Sequence, residues 1–400
     1  MKMKSDIFIL IPCHVDKSYY HIETTSTNLK EKDKYAQEYI SSLREIAMSE
    51  LVDRVYNSFD RYYLGEYESP ILGDAPKGRE AIDTVRIKFF LTACERTKLS
   101  VLTGVICNFE GNPTNVLDQI TREEILVDLD DRFTYLDDFL LRNFKIIKNG
   151  EAKTCLIQNK KANYEDILYY MATETNDSNL YNTKIISKKY HDLAVDNVAV
   201  YDFSDIFVSE SVIYQVLHDE GEDKIQYEGL LIFIVEILVM KLSAIYRSNN
   251  QVTEALEKNK GISVKNYEIL SNEFANTLSI WQVNIYRYKG AQTIADKIQE
   301  RFDIDNVLKN YKQNDEFLQN IIDTRNVKNS ITESKILFVV AILLFLKDFY
   351  AIVKNIYLFF YESQEFSASD VVSSLTSVAI ILVVVFVYLS KNFRIKGRRK

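Results

Sequence analysis

The pattern of apolar and polar positions divides this chain into an early mixed region and a later helical region. Short apolar runs predict buried strands over residues 6–15 and 101–109. Apolar residues at helical spacing predict helices over residues 37–59 and 79–98. Asn149-Gly150 lies between two further apolar runs, which is typical of a β-hairpin with a type I′ turn.

The second half of the chain is predicted to be helical after one or two further strands in residues 197–217. Residues 228–247 carry an apolar run with Glu236 and Lys241 inside it, and the run is too short to span a bilayer, so we expect a buried core helix. Two helices should follow over residues 263–280 and 281–302. The next sixty residues, 303–362, contain no Pro or Gly, so they predict one helix of roughly 90 Å.

The first half of that long helix has a coiled-coil-like seam. The apolar positions of the seam are spaced mostly three and four residues apart: Ile304, Leu308, Tyr311, Leu318 and Ile322. So long and polar a helix needs neighbours, and copies of the same chain would supply them. Asn306, Asn310 and Asn314, spaced four apart, are candidates to line the axis of such an assembly; the alternative is that they face solvent.

Two apolar segments near the C-terminus predict a membrane hairpin. Residues 336–361 and 371–389 are each long enough to cross a hydrocarbon core of about 30 Å. The tail after the second segment has six Lys and Arg residues and no acid, which predicts that it is cytoplasmic. An acidic loop over residues 362–370 would then lie outside, and the N-terminal region would lie inside. This topology predicts an inner-membrane protein with both termini in the cytoplasm.

The first apolar segment contains charges that lipid does not tolerate well. Lys347 and Lys354 are seven residues apart and share one helix face, and Asp348, Asn355 and Glu362 share the neighbouring one. Such a polar sector should face a partner helix or water, so these five residues are candidates for pore lining or gating. The alternative is that the charges pair with neighbouring groups and only fix packing.

Composition excludes several functions. The formal net charge is −8, which argues against nucleic-acid binding, since that requires a basic face. Four scattered cysteines indicate neither disulfides nor a zinc site. The spacing of Ser, Cys, His and acidic residues suggests no catalytic constellation, so we expect no enzyme activity.

Two segments of the N-terminal region are candidates for binding a small ligand. Lys77 and Arg79 precede a predicted helix, where backbone N–H groups attract anions, and Arg86 lies seven residues further on. Asn112 follows a strand and precedes another helix, a position at which α/β folds bind ligands. The alternatives are a solvated basic loop in the first case and an ordinary helix cap in the second.

This layout resembles the CorA-like metal-ion transporter superfamily. The resemblance lies in the α/β region, the helical layer, the long helix that enters the first of two C-terminal spans, and the basic tail. It implies a homopentamer with the first span lining the pore. The Gly-Met-Asn signature of that family is absent, because KNIYLFFYESQE stands at the end of the first span and Asn355 is its nearest asparagine.

Without that signature, the chain resembles the divergent CorA-like proteins that accompany type III CRISPR systems. Those proteins are similar to membrane effectors opened by a nucleotide second messenger made from S-adenosylmethionine and ATP. The resemblance therefore implies a nucleotide ligand. The lysines on the presumed pore face argue against ordinary Mg²⁺ transport, since they repel a divalent cation.

The sequence predicts an α/β domain followed by a helical layer, a long stalk helix and two transmembrane helices, together a ligand-gated oligomeric channel. The segments we expect are residues 1–225 (α/β sensor), 226–302 (helical layer), 303–335 (stalk), 336–361 (first span), 362–370 (loop), 371–390 (second span) and 391–400 (tail). Two alternatives stay open, a constitutive divalent-cation transporter with a degenerate filter and a membrane-tethered scaffold.

Overall fold

A computed structural model gives the fold of this chain over eleven continuous stretches. They are residues 4–15, 33–48, 59–75, 78–94, 99–129, 132–159, 165–175, 194–198, 204–218, 224–257 and 289–362, with a few isolated positions besides. The predicted helix over residues 263–280 and the predicted second span over 371–389 therefore lie outside the described residues, apart from Thr376. The basic tail lies outside them as well, and so does the acidic loop apart from Glu362.

The described residues form an α/β sheet region followed by long helices. The strands are β1 (Ser5–Val15), β2 (Phe59–Ala75), β3 (Gly78–Cys94), β4 (Leu99–Phe109), β5 (Leu126–Leu129), β6 (Arg132–Tyr135), β7 (Ile146–Lys148), β8 (Lys153–Asn159), β9 (Asp196–Asn197), β10 (Ser204–Val208) and β11 (Val212–Leu217). The helices are α1 (Lys34–Met48), α2 (Pro113–Thr121), α3 (Leu136–Phe144), α4 (Glu165–Thr173), α5 (Lys224–Glu257), α6 (Lys289–Arg301) and α7 (Ile304–Glu362).

One mixed sheet organises the first part of the chain. Its strand order is β2-β3-β4-β1-β8-β11-β10-β9, and β5 and β6 form a separate pair. β1 lies near the centre, antiparallel to β4 on one side and to β8 on the other, whereas β8 and β11 run parallel. The predicted strands at residues 6–15 and 101–109, and the strands expected in 197–217, are confirmed.

Helices cover both faces of this sheet. Alternate residues of β1 such as Ile7 and Ile9 enter a core with side chains of α2, α3 and α4, for example Leu117 and Phe139. On the opposite face, α5 packs against β1 and β4, and α1 packs against α5 and β2. The result is a three-layer α/β arrangement, in which side chains alternate between two cores.

The helix predicted over residues 79–98 is wrong, because Gly78–Cys94 forms β3, while residues 95–98 lie outside the described residues. Its apolar residues also alternate, with Ile87, Phe89 and Leu91 buried in one core and Phe90 buried on the other face. Aromatic and β-branched residues favour a pleated strand buried on both faces, and long-range pairing with β2 and β4 outweighs the helical spacing.

The predicted type I′ hairpin at Asn149-Gly150 is also wrong. β7 and β8 both pair antiparallel with the same strand, β1, so residues 149–152 interrupt one edge rather than reverse the chain. The Asn149 N–H donates to the carbonyl of Pro12, and its side-chain amide donates to Ser243 Oγ of α5. A Cβ atom on Gly150 would lie 2.4 Å from the Tyr246 ring, so the glycine permits a close approach to α5.

Helix α5 is the buried core helix that the sequence predicts. Its segment Gly229–Glu254 is long and apolar enough to cross a membrane, but 83% of its apolar window is buried in the fold. Among the described residues it is the one segment that meets this criterion.

The single helix predicted over residues 303–362 is confirmed as α7. The chain divides into two compact units, Met1–Asp315 and Glu316–Lys400, so α7 begins in the first unit and continues into the second. Of its predicted seam, Ile304, Tyr311, Leu318 and Ile322 are buried.

Candidate functional site

A cleft opens where β3 and β4 stop pairing. Their ladder ends at the pair Lys88–Val105, although both strands continue beyond it. The cleft between the two diverging strands has a volume of about 520 Å³, which is in the range of small-molecule sites. Its walls are formed by Glu66, residues 83–86, Lys88 and residues 105–111. We call it the β3–β4 cleft.

The end of β4 is held aside by local contacts. Asn108 adopts a left-handed backbone conformation, with φ of 52°, and its N–H donates to Asp6 Oδ1 at 2.7 Å. Asparagine tolerates this conformation better than most residues. Gly111 packs directly on Phe109, where a Cβ atom would approach the ring to 2.4 Å. The backbone of this turn therefore forms a fixed wall of the cleft.

Lys88 is the more buried of the two cations, Arg86 and Lys88, that line the cleft. Its ammonium donates to Asp33 Oδ2 and lies 3.2 Å from Glu66 Oε1, and its side chain is 16% exposed. Burial lowers the pKa of Lys88, but the hydrogen bonds to Asp33 and Glu66 outweigh it and raise the pKa above the ordinary value. Lys88 is therefore charged at neutral pH.

Asp33 connects this cluster to helix α1. Its Oδ1 accepts the N–H of Ala36 at 3.1 Å, which makes it the N-cap of α1, and its Oδ2 accepts the hydroxyl of Tyr63 at 2.9 Å. Burial raises the pKa of Asp33, but the hydrogen bonds from Lys88, Ala36 and Tyr63 bring it below the usual value. The carboxylate is thus ionised, and it accepts hydrogen bonds both from Lys88 of the cleft and from the first turn of α1.

The other walls carry charges of both signs. Arg86 is exposed and pairs with Glu68 at 3.5 Å, while Asp83 and Glu110 add carboxylates. Burial raises the pKa of the Cys107 thiol to about 11, so this group is neutral at pH 7. A pocket of this kind suits a ligand that carries an anionic group and hydrogen-bond donors together.

The structure brings together only part of the predicted ligand-binding set. Arg86 lines the cleft, and Asn112 directly follows the wall residue Gly111. The Oδ1 atom of Asn112 caps α2, accepting the Thr114 N–H at 3.1 Å, as the alternative interpretation predicted. Arg79 lies in β3 rather than before a helix, so the predicted helix N-terminus there is wrong, and Lys77 lies outside the described residues.

Sequence reasoning missed Lys88 and Glu66. Both lie in segments whose strand pairing creates the cleft, and β3 was predicted to be a helix. One signal was available, because Arg86 and Lys88 alternate with Ile87 and Phe89, and such alternation is typical of a strand.

A second cluster joins the sheet region to the start of α7. We call residues 299–305 the elbow, since they connect α6 to α7. Arg301 donates to both carboxylate oxygens of Asp196, at 2.7 and 2.8 Å, and Lys241 of α5 donates to Gln299 at 2.7 Å. Phe302 is buried beneath Lys153, whose ammonium lies 5.1 Å from the ring centre. The elbow is thereby anchored on the α/β unit.

The predicted pore residues all lie on α7. Lys347 and Lys354 are exposed, whereas the side chains of Asp348, Asn355 and Glu362 are outside the described set. Around them, fourteen large apolar side chains between 336 and 357 are at least about one-third exposed: Ile336, Leu337, Phe338, Val339, Val340, Ile342, Leu343, Leu344, Phe345, Leu346, Phe349, Tyr350, Val353 and Tyr357. Soluble monomeric proteins rarely expose a contiguous apolar surface of this size.

The three predicted axial asparagines have different surroundings. Asn306 is exposed and donates to Asp303 Oδ1 at 2.6 Å, and Asn310 is exposed as well. Asn314 donates to Asn249 of α5 at 2.8 Å. Within one chain, Asn314 thus helps to hold α7 against α5, and axial lining by the other two stays a prediction.

No family model matches the chain, and no curated protein is significantly similar to it. Among the described residues, no group of three or more His, Cys, Asp and Glu side chains is placed to hold a metal ion.

Proposed function

We propose that this protein is a ligand-gated, homo-oligomeric membrane channel. A small molecule bound to the α/β unit would control a pore lined by the apolar half of α7. The observation that carries the proposal is the exposed apolar surface from Ile336 to Tyr357, on a helix that begins at the elbow of the α/β unit. Lipid or other copies of the chain would cover this surface.

The charges of α7 favour a pore over a simple anchor. Lys347 is exposed within the apolar stretch, and a lysine at the centre of a spanning helix costs about 2.5 to 3.5 kcal/mol on insertion scales. An assembly that turns Lys347 and Lys354 toward a water-filled axis removes that cost. A ring of copies is the arrangement that the CorA-like resemblance implies, with both termini in the cytoplasm and a pentamer as the expected size.

Binding of a ligand to the α/β unit would control whether the proposed pore is open. Gating requires the ligand to bind the open state more tightly than the closed state. The β3–β4 cleft is the ligand site that the geometry favours, and the elbow, held by the Arg301–Asp196 pair, leads from the α/β unit into the start of α7. The resemblance implies a nucleotide, of the S-adenosylmethionine–AMP type, as the signal.

The test is ion flux through the purified full chain in liposomes, with and without nucleotides that include the S-adenosylmethionine–AMP conjugate. We expect flux only with nucleotide. The double variant Lys347→Leu/Asp348→Leu should change the conductance at least about tenfold, since it removes the charges from the pore face. Lys312→Leu, an exposed lysine in the polar half of α7, is the matched control and should leave flux unchanged.

Other outcomes would decide for the alternatives. Steady Mg²⁺ flux without nucleotide would favour a constitutive transporter and contradict gating. No flux from intact oligomers under every condition would indicate a membrane-tethered scaffold.

A further inference from the structure

We infer that Lys88 binds the anionic group of a ligand in the β3–β4 cleft, and that Asp33 and Glu66 compete with the ligand for this cation. The ligand class is a phosphate ester whose remaining part carries hydroxyl or amino groups. The inference rests on the proposed function only for the consequence of binding, since the site itself is defined by the α/β unit.

The coordination of Lys88 leaves room for a ligand. An ammonium group has three N–H donors, and the contacts with Asp33 and Glu66 account for two of them. The side chain is 16% exposed and lines the cleft, so a bound molecule can reach it. The third N–H of Lys88 can therefore donate to a ligand while the ammonium keeps a contact with Asp33 or Glu66.

The acids of the cleft define the other part of the ligand. Glu66, Asp83 and Glu110 face the same space as Lys88 and Arg86, so the formal charge of the walls is negative by one. A bare anion would be repelled by these carboxylates. A phosphate ester with hydroxyl or amino donors satisfies them while its phosphate contacts Lys88 and Arg86.

Asp33 contacts both the cleft lysine and helix α1. The same carboxylate caps α1, and α1 carries Tyr39, whose hydroxyl donates to Glu236 of α5 at 3.3 Å. A ligand that draws Lys88 away from Asp33 changes the charge balance at the start of α1. The competition between Asp33 and a bound anion for Lys88 is therefore the step to measure.

The experiment measures binding of adenosine 5′-monophosphate to the full chain in detergent by titration calorimetry, with adenosine as the neutral match. We expect the monophosphate to bind more than about tenfold more tightly than adenosine. Lys88→Met should weaken monophosphate binding by more than about tenfold. Lys34→Met changes an exposed neighbouring lysine and should leave binding unchanged.

The decisive variants are Asp33→Asn and Glu66→Gln, because each should raise the affinity for the monophosphate by about three- to tenfold. Both free Lys88 of a competing charge, and asparagine caps a helix as well as aspartate does. A variant that merely damages the cleft would lower the affinity. Unchanged or lower affinity in both variants, equal binding of the two probes, or no binding of the monophosphate would each overturn the inference.

The result is separable from the test of channel function. Binding with the expected variant pattern but without flux would contradict the channel and leave the inference intact. Nucleotide-gated flux that is insensitive to Lys88→Met would support the channel and contradict the role of Lys88 in ligand binding.

Discussion

At the scale of single residues, the acid inside the buried apolar helix α5 is fully paired. Glu236 of α5 is completely buried and accepts hydrogen bonds from Arg61 at 2.5 Å and from Thr103 at 2.9 Å. Thr92 and Tyr39 donate to it as well, at 3.0 and 3.3 Å. Four elements, α1, β2, β3 and β4, thus meet α5 at one carboxylate.

Arg61 completes this network. It also donates to the Tyr39 carbonyl at 2.8 Å and lies 4.0 Å from the centre of the Tyr39 ring. Burial lowers the pKa of Arg61, but the charge of Glu236 outweighs it and raises the pKa. A buried charge is tolerated when it is paired and hydrogen-bonded, so this cluster fixes how α5 docks on the sheet.

We therefore expect Arg61→Met to destabilise the α/β unit by about 3 to 5 kcal/mol, because it leaves the charge of Glu236 buried without a partner. Urea unfolding of the full chain in detergent, followed by far-UV circular dichroism, measures this loss. Arg61→Met/Glu236→Met should recover part of the stability, since no unpaired charge remains. A loss no greater than that of Lys34→Met, which removes an exposed ion pair, would contradict this account.

At the scale of elements, the elbow depends on pairs between helices and the short strand β9. The bidentate pair of Arg301 and Asp196 joins α6 to β9, and Asp303 adopts φ of 56° where α6 ends and α7 begins. Burial lowers the pKa of Lys153 and of Lys241, the two lysines that contact the elbow from the sheet and from α5. The start of α7 is therefore positioned by tertiary contacts rather than by its own sequence.

The Arg301–Asp196 pair predicts a pH dependence. The hydrogen bond from Arg301 lowers the pKa of Asp196, so the folded state binds this proton less readily than the unfolded state. The stabilisation is present above the unfolded pKa of about 3.9 and is lost as the pH falls through the lower folded value. The melting temperature of Asp196→Asn should thus fall below that of the natural chain at pH 7, and the gap should narrow below about pH 4.

Thermal unfolding of both proteins at pH 7, 5 and 3 checks this prediction. Glu38→Gln, which removes the exposed partner of Lys34, is the control and should shift the melting temperature little at pH 7. A gap for Asp196→Asn that stays constant from pH 7 to pH 3 would show that the carboxylate charge does not matter.

At the scale of the whole molecule, one helix passes from a folded α/β unit into an apolar surface. The first part of α7 has buried seam residues such as Ile304 and Tyr311, whereas most of the described apolar side chains after Lys335 are exposed. Monomeric soluble proteins rarely expose so large an apolar surface, and in the channel proposed above lipid or other copies of the chain would cover it.

Charges placed in this surface should prevent membrane insertion. Leu343→Lys/Leu346→Lys adds two lysines to the apolar stretch, each costing about 2.5 to 3.5 kcal/mol near a helix centre. We expect most of the double variant to be extracted by alkaline carbonate, whereas the unaltered chain stays with the membrane. Val327→Lys, at an exposed position of the polar half, should behave like the unaltered chain.

The sequence by itself determined the features that depend on local composition. The absence of Pro and Gly over sixty residues predicted α7, and the apolar runs around Phe8 and Val105 predicted β1 and β4. Even the burial of α5 followed from the length of its apolar run and the acid within it. These features can be predicted without knowing which distant residues pair, because helix continuity and strand burial depend on residues that are close in sequence.

Only the tertiary structure decided the features that depend on residues far apart in the chain. Residues 79–98 satisfy both helical and strand periodicity, and pairing with β2 and β4 selects the strand. Asn149-Gly150 resembles a hairpin turn, but pairing of both flanks with β1 and the approach of Tyr246 give it another role. The β3–β4 cleft exists because one ladder ends at Lys88, and Asp33 reaches that lysine across 55 positions. Such contacts are set by how the sheet assembles, which no local pattern records.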